Sequence, residues 1–181
     1  EGKRKRDEIG MLEEALRREL PRLFHDEPHR KERERIEERY RSRQRARIEA
    51  FEKKVKERGF ALVQVQMGTI TGPQVVPVVD SEPRFFPDLE EAVEEGKFDA
   101  ARLAEIRKRH GEHTEELRDV VREAIKMETE MHARLSEHDV ESARPVVSSR
   151  LGLVREAVRD APDVQEWLAH KYVLHAKPLR V

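Results

Sequence analysis

Two histidines at helical spacing, His110 and His113 in the stretch HGEH, are the first residues that could do chemistry. On a helix this spacing puts both imidazoles on one face, where together they could bind a metal ion. They also fall on the apolar line of a long helical pattern, where a polar residue commonly fixes the register of two paired helices. No carboxylate pair at matching spacing completes a ligand set, so we predict no metal and no cofactor. A small metalloenzyme built on this pair stays an alternative.

Other short motifs that resemble catalytic sites each lack a required part. In HDEPH, residues 25–29, the Glu stands in the third place instead of the second, and Pro28 breaks the helix that a zinc protease needs. The loop GTITG, residues 68–72, lacks the Gly-Lys-Ser/Thr ending of a phosphate loop. No G-x-S-x-G occurs, and no serine shows an activating partner in the sequence. We therefore predict no catalytic residue in this chain.

Charge dominates the composition without favouring either sign. Charged residues make up 41% and hydrophobic residues 36%, with a mean hydropathy of -0.87, which fits disorder or long helices with a narrow apolar stripe. The 37 basic and 38 acidic residues leave a net charge of -1, so no overall field attracts nucleic acid or an acidic membrane. The arginines of RYRSRQRAR, residues 39–47, would divide over two helix faces beside flanking glutamates. A nucleic-acid partner is not expected, although this stretch keeps open a coiled-coil adaptor or a nucleic-acid-associated scaffold.

Residue types that are missing indicate the cellular setting. Without Cys, the chain has no disulfide, thiolate zinc site or Cys nucleophile, which fits a reducing cytoplasm. The absence of Asn as well hints at a heat-adapted source, a thermophile. No apolar run reaches the length of a membrane span, and no signal peptide is evident. Because the chain begins with Glu instead of Met, we expect it to be a piece of a larger protein.

Apolar periodicity predicts helices on both sides of a small β-hairpin. A helix is expected over residues 7–20, ended or kinked at Pro21, followed by a long charged helix that closes at Gly59. The stretches FALVQVQM and QVVPVV predict the hairpin, at about residues 60–80, with Pro77 confining the second strand to a sheet edge or an irregular pairing. In the first strand, the odd positions from Ala61 to Met67 form the apolar face of a half-buried strand.

The second half of the chain predicts four more helices. A short acidic helix should close at Gly96, and Asp99 should cap a heptad helix that runs to about Ser136. Further helices are expected from Asp139 and from Pro162. Since each long helix has too narrow an apolar face to be stable alone, we expect the two to pair.

The predicted fold class is mainly α: an antiparallel coiled-coil helical hairpin with a small β-hairpin near its bend and a short helical base. We expect a base helix in residues 1–27, the coiled-coil arm in residues 28–136 and base helices in residues 137–181.

Four apolar residues are candidates for binding an unfolded polypeptide. Met67 and Ile70 flank the hairpin turn, and Phe85 and Phe86 lie in a proline-bounded connector. An exposed apolar patch there could bind extended chains, in part by pairing with the edge of the hairpin. The same residues could instead only pin the hairpin onto the helices, and the sequence leaves both interpretations open.

The order of these elements resembles a known insertion. A charged helix, then ERGFALVQVQMG, VVPVV and DSEP, then a short acidic helix and a heptad helix are similar to the helical insertion in the amino-terminal AAA-like region of the Lon-related proteases, most of all the LonC-like branch. The stretch PDVQEWL followed by VLHAK resembles the helix that returns the chain to the AAA-like body. The likeness spans nearly all of residues 7–177.

This resemblance implies a cytoplasmic, hexameric Ser-Lys peptidase that works without ATP, in which the insertion forms a lid or portal for unfolded polypeptide. None of the family's catalytic Ser and Lys positions and no Walker motif maps onto this chain, so the resemblance implies a noncatalytic domain of a hydrolase. The expected partners are unfolded polypeptide and the remainder of the parent protease in a homo-hexamer, without a membrane.

Overall fold

The computed structural model describes residues 2–160 and 162–173. At residues 2–6, 67, 70, 163, 167, 169 and 171–173 it describes the backbone alone. The elements in chain order are α1 Gly2–His25, α2 Glu27–Glu57, β1 Phe60–Met67, β2 Ile70–Val79, β3 Glu82–Pro83, α3 Phe86–Glu94, α4 Ala100–Ala157 and α5 Pro162–Val173. The strands form one antiparallel sheet in the order β1-β2-β3. The predicted fold class, mainly helical with long helices and a small β-hairpin, is confirmed.

Local signals in the sequence set the ends of the long helices. Gly59 follows α2 with φ +83°, and its N–H donates to the carbonyl of Lys56 at 3.2 Å, a C-terminal closure that needs a residue without Cβ. Gly96 ends α3 in the same way, with φ +71°. Asp99 accepts a hydrogen bond from the backbone N–H of Arg102 at 2.9 Å, so it caps α4 as predicted.

The sheet has two tight turns of different kinds. Between β1 and β2, Gly68 adopts φ +64° at the first turn position, as a type II′ turn requires. Between β2 and β3, Asp80 and Ser81 have φ of +52° and +68°, both positive as in a type I′ turn. Ser81 therefore holds a left-handed conformation that costs a side chain on the order of 1 kcal/mol.

The chain divides into two compact units. Residues 40–129 form the first, which we name the hairpin unit because it contains the sheet. The second, the terminal unit, consists of the described residues up to Arg39 and from Glu130 onward. Parts of α2 and α4 belong to each unit, and the two units are described one at a time.

In the hairpin unit, the sheet covers the contact between α2 and α4. Its main cluster of buried residues takes two from α2, two from β1 and β2, and two from α4: Phe51, Val55, Phe60, Val75, Leu117 and Val120. Three polar contacts join the helices, from Gln44 to the carbonyl of Ala124, from Arg47 to Glu123 and from Lys54 to Glu116. Because residue numbers rise along one helix as they fall along the other, α2 and α4 are antiparallel here.

In the terminal unit, α1 and α5 pack on α4. The buried cluster consists of Leu12, Leu151, Val154, Val158 and Leu168, with Leu16, Val147 and Val164 against it. Arg150 of α4 contacts Glu19 of α1 through two nitrogens, with Nε 2.9 Å from the carboxylate. Arg33 and Asp139 join α2 to α4, again in the antiparallel sense.

Prolines lie inside two of the helices. Pro21 does not end α1, which continues to His25. The predicted end of the heptad helix near Ser136 and the predicted start of another helix at Asp139 are wrong, because α4 runs unbroken through Pro145 to Ala157. A proline inside a helix costs about 3 kcal/mol. Each buried apolar side chain contributes about 1.5–3 kcal/mol, so Val147, Leu151 and Val154, which pack on one face of α4 beyond Pro145, offset that cost.

The face of β1 that packs on the helices is also not the predicted one. Phe60 and Leu62 belong to the cluster with the helical residues, so the even positions face α2 and α4. The odd positions, with Ala61, Val63 and Val65 half-buried, lie on the opposite side of the strand. The alternation of residue types in β1 correctly indicated a strand with two different faces. The face that enters the core is the one that carries the bulky Phe60 at the start of the strand.

Candidate functional site

An apolar groove of about 730 Å³ lies in the hairpin unit between β2 and α4. One wall is the segment Pro73–Pro77 of β2, and Phe85 and Phe86, which lie where the connector meets the start of α3, close one side. The opposite wall is a face of α4, formed by His110, Thr114, Leu117, Arg118, Val121 and Arg122. The groove therefore runs between a strand edge and a helix.

β3 pairs with Val78 and Val79 of β2, which leaves the segment Pro73–Pro77 without a partner strand, among the described residues, on the side away from β1. Two prolines restrict this edge. The N–H of Val78 donates to Gly59 at 2.9 Å, so Val78 faces β1, and by alternation Pro73, Val75 and Pro77 direct their backbone groups outward. Proline has no N–H, so along this wall only Val75 offers an outward donor. The carbonyl of Pro77 already accepts from Arg84 at 2.9 Å. An added strand would therefore find few bonds here, a common protection of exposed sheet edges.

His110 joins the strand wall to α4. Its Nε2 lies 2.9 Å from the carbonyl oxygen of Val75, and because a carbonyl only accepts, Nε2 carries the proton. The imidazole also meets the ring of Phe86 edge-on, with centroids 4.8 Å apart. The prediction placed His110 in the seam between the two long helices; the structure instead uses it to hold β2 and the connector against α4.

His113 is the histidine that enters the core. Its side chain is only 2% exposed, and its ring meets Phe60 edge-on at 5.0 Å. Burial, followed by the positive charge of Arg58, lowers the pKa of His113 below its usual value, so the neutral imidazole is favoured. Nδ1 lies 3.9 Å from Glu116, which is held by Lys54 at 2.7 Å. The two histidines therefore have separate structural roles.

Several apolar side chains at the groove remain open to solvent. Phe85 is 47% exposed and Val121 is 39% exposed, above the buried Leu117. A second cleft of about 230 Å³ shares Pro73, Leu117 and Val121 with the groove and continues to the exposed Ile48 and Ile125. In a chain with so few hydrophobic residues, a continuous apolar surface of this kind is the candidate for a binding site.

The structure describes the side chains of two of the four predicted contact residues. Phe85 and Phe86 both line the groove, as a shared binding role requires. Met67 and Ile70 pair with each other at the turn end of the ladder, whereas Phe60 and Pro77 close its other end. The side chains of Met67 and Ile70 lie outside what the structure describes. The sequence analysis did not identify the α4 residues that line the groove, because they form a wall only once the hairpin packs against α4.

A polar cluster in the terminal unit places a serine, a histidine and an aspartate together. His29 is buried, with Nδ1 3.2 Å from the hydroxyl of Ser142 and Nε2 3.0 Å from Asp139, the latter without hydrogen-bond alignment. Its ring stacks on that of His138, with centroids 4.6 Å apart. The sequence shows no partner for any serine, so this contact between residues far apart in the chain was missed.

This cluster lacks what a serine hydrolase needs. Ser142 lies inside α4, where backbone N–H groups bond to carbonyls of the preceding turn and cannot stabilise an oxyanion. Asp139 is also engaged by Arg33, whose Nη1 contacts both carboxylate oxygens at 2.7 and 2.5 Å. The arrangement fixes the pairing of α2 with α4 in this unit.

The described residues contain no group of three or more His, Cys, Asp or Glu placed to hold a metal ion. Within the same residues, no helix is both long enough and apolar enough to cross a bilayer.

Comparisons with known proteins identify no relative of this chain. No protein-family model, no curated protein and no solved structure matches this chain.

Proposed function

We propose that this chain is a noncatalytic helical domain that binds unfolded polypeptide for a Lon-like, ATP-independent protease. The observation that carries this proposal is the open apolar groove between β2 and α4, with Phe85 and Val121 exposed beside it. Unfolded chains differ from folded ones in exposing apolar side chains next to extended backbone, and a groove between a strand and a helix accepts both. Its volume is in the range of pockets that hold a drug-sized ligand, roughly 300–1,000 Å³.

Side chains, more than backbone pairing, provide the binding in this proposal. The outward N–H of Val75 allows one hydrogen bond to an extended segment, whereas the prolines on either side prevent a longer ladder. Fully burying one Leu or Phe contributes about 1.5–3 kcal/mol, and an open groove provides only part of that. After the cost of association, the affinity should be micromolar or weaker. Weak, sequence-tolerant binding suits a domain that passes its ligand onward.

The wider setting follows the resemblance to the LonC-like branch. In this proposal the domain helps admit substrate and assemble a cytoplasmic homo-hexamer, and the remainder of the parent protease supplies the Ser-Lys chemistry. The neighbouring reading frame tests this part: a downstream domain with a Ser-Lys protease pattern supports it. A stop codon directly after Val181 would instead support the coiled-coil adaptor, which only the arginine-rich segment of α2 favours.

Fluorescence anisotropy with a labelled, unstructured peptide of neutral charge and apolar core tests the groove. The double variant Phe85→Ser/Val121→Ser removes two exposed apolar contacts without touching the buried core, so affinity should fall by about fivefold or more. Leu153→Ser is a matched control, since Leu153 is 61% exposed and lies in the terminal unit. Equal affinity of all three proteins would show that the peptide does not use the groove.

A further inference from the structure

The groove differs from the rest of the chain in its charge. Acidic residues slightly outnumber basic ones overall, 38 to 37. Among the described residues that line the groove, however, are Arg118, Arg122 and His110, and no Asp or Glu. The neighbouring cleft includes Glu128, so this one-sided charge belongs to the groove in particular.

The two arginines are placed to reach a bound segment. Arg118 and Arg122 are four residues apart on α4, so they lie on one helix face as neighbours. Their side chains are 64% and 73% exposed, above the apolar wall formed by Leu117 and Val121. Long arginine side chains of this kind can lie across a ligand with their stems on its apolar surface and their charge in water.

Their present partners do not hold them firmly. Arg118 pairs with Glu115, and Arg122 pairs with Asp119 at 2.7 Å, each three residues earlier on the same helix. Exposed pairs of this type contribute between nothing and about 1 kcal/mol, so exchange for a ligand carboxylate costs little. A bidentate carboxylate contact to arginine is among the stronger polar contacts available to a peptide.

We propose that the groove prefers extended segments that carry Asp or Glu within or beside a short apolar stretch. This inference rests on the proposed function and specifies the ligand of the same groove. The apolar side chains enter between β2 and α4, and the carboxylates meet Arg118 and Arg122 at the open side. Alternating side chains of an extended segment point to opposite faces, so one segment can supply both.

The experiment uses three labelled 12-residue peptides that share one apolar core and differ only in flanking residues: acidic, uncharged or basic. Each is titrated with the full chain at low and high salt. The variant R118Q/R122Q is compared with R35Q/R134Q, which removes the same charge from two exposed arginines that pair with Glu32 and Glu137 outside the groove.

Wild type and R35Q/R134Q should bind the acidic peptide about three- to tenfold more tightly than the uncharged one at low salt, the size expected of two exposed ion pairs. The difference in affinity between the acidic and the uncharged peptide should become smaller at high salt. The variant R118Q/R122Q should bind both peptides equally, with the same affinity for the uncharged peptide as wild type. Equal affinity for all three peptides overturns the preference and leaves groove binding intact. No binding of any peptide overturns the proposed function as well. A preference that survives R118Q/R122Q, or that requires the peptide's terminal carboxylate, also overturns the inference.

Discussion

The hairpin unit and the terminal unit both contain α2 packed against α4, and they stabilise that contact by different means. In the hairpin unit, the aromatic rings of Phe51 and Phe60 are fully buried between the helices and the sheet. In the terminal unit, α2 contributes the buried Ile36 and a buried histidine, His29, which has polar partners on α4. Apolar burial provides stability without direction, whereas hydrogen bonds between defined atoms specify one register.

The difference suggests a division of roles within a chain that has little apolar material. The buried rings of Phe51 and Phe60 lie in the hairpin unit, where the sheet packs on the helices and where the groove is found. Where only helices meet, α1 and α5 provide an apolar cluster on α4, and α2 adds the buried Ile36 together with polar pairs such as Arg33 with Asp139. The comparison predicts that the hairpin unit is most sensitive to lost volume and the terminal unit to lost polar partners.

The largest effect should come from Phe60→Ala. This change removes a buried ring that packs on Phe51, Val55 and Leu117, and it should lower the free energy of unfolding by about 3–5 kcal/mol. Urea denaturation measures the loss, and amide hydrogen exchange in β1 and β2 should lose protection. Phe85→Ala is the control, since a ring that is 47% exposed should cost less than about 1 kcal/mol. A small loss from Phe60→Ala would show that aromatic burial does not stabilise this unit.

A smaller effect is expected from His29 in the terminal unit. His29→Ala removes the hydrogen-bond partner of Ser142 and the ring stacked on His138, and it should cost about 1–3 kcal/mol. His29→Leu restores much of the volume without the polar contacts. If these polar contacts mainly specify register, the Leu variant should lie within about 1 kcal/mol of wild type in urea denaturation. Equal losses for Ala and Leu would mean that the polar contacts themselves stabilise the unit.

Local features of the fold were predictable because their causes are local. Gly59, Gly96 and Asp99 end or begin helices through backbone conformation and one nearby hydrogen bond, and a short window of sequence contains both. Pro77 lies in β2, between β1 and β3 in the strand order, with its carbonyl accepting from Arg84 on the side away from β1, and Pro73 faces the same side.

What could not be predicted depends on register and docking. A heptad pattern repeats every seven residues, so it indicates that α2 and α4 pair but not which residues meet. The contact of His29 with Ser142 across 113 positions follows only once that register is set. Arg118 and Arg122 likewise look like ordinary solvated charges until β2 is placed beside α4. The arginine-rich segment of α2 can be recognised from its composition. The two arginines at the groove can be recognised only from their position in the structure.

The smallest effect is a pH dependence that should arise in the hairpin unit. His113 has a pKa lowered by burial and by Arg58, so the unfolded chain binds a proton at a pH where the folded chain does not. The His113 contribution to stability is therefore complete above about pH 6.5, the ordinary value for histidine, and is lost as the pH falls from there toward the lowered pKa. Glu116 has its pKa lowered by the hydrogen bond from Lys54, and its contribution is lost only in a more acidic range, as the pH falls below 4.5.

Urea denaturation at pH 7.5 and pH 5.5 separates these groups, since Glu116 stays ionised at both. Wild type should be less stable at pH 5.5, and His113→Leu, which keeps an apolar side chain beside Phe60 and has no proton to bind, should show a smaller difference between the two values. His170, an exposed histidine of α5, provides the control variant His170→Leu, which should keep the wild-type dependence. If His113→Leu retains the full difference, the histidine buried beside Phe60 is not its source, and the sensitivity to pH must be sought among the polar pairs of the terminal unit.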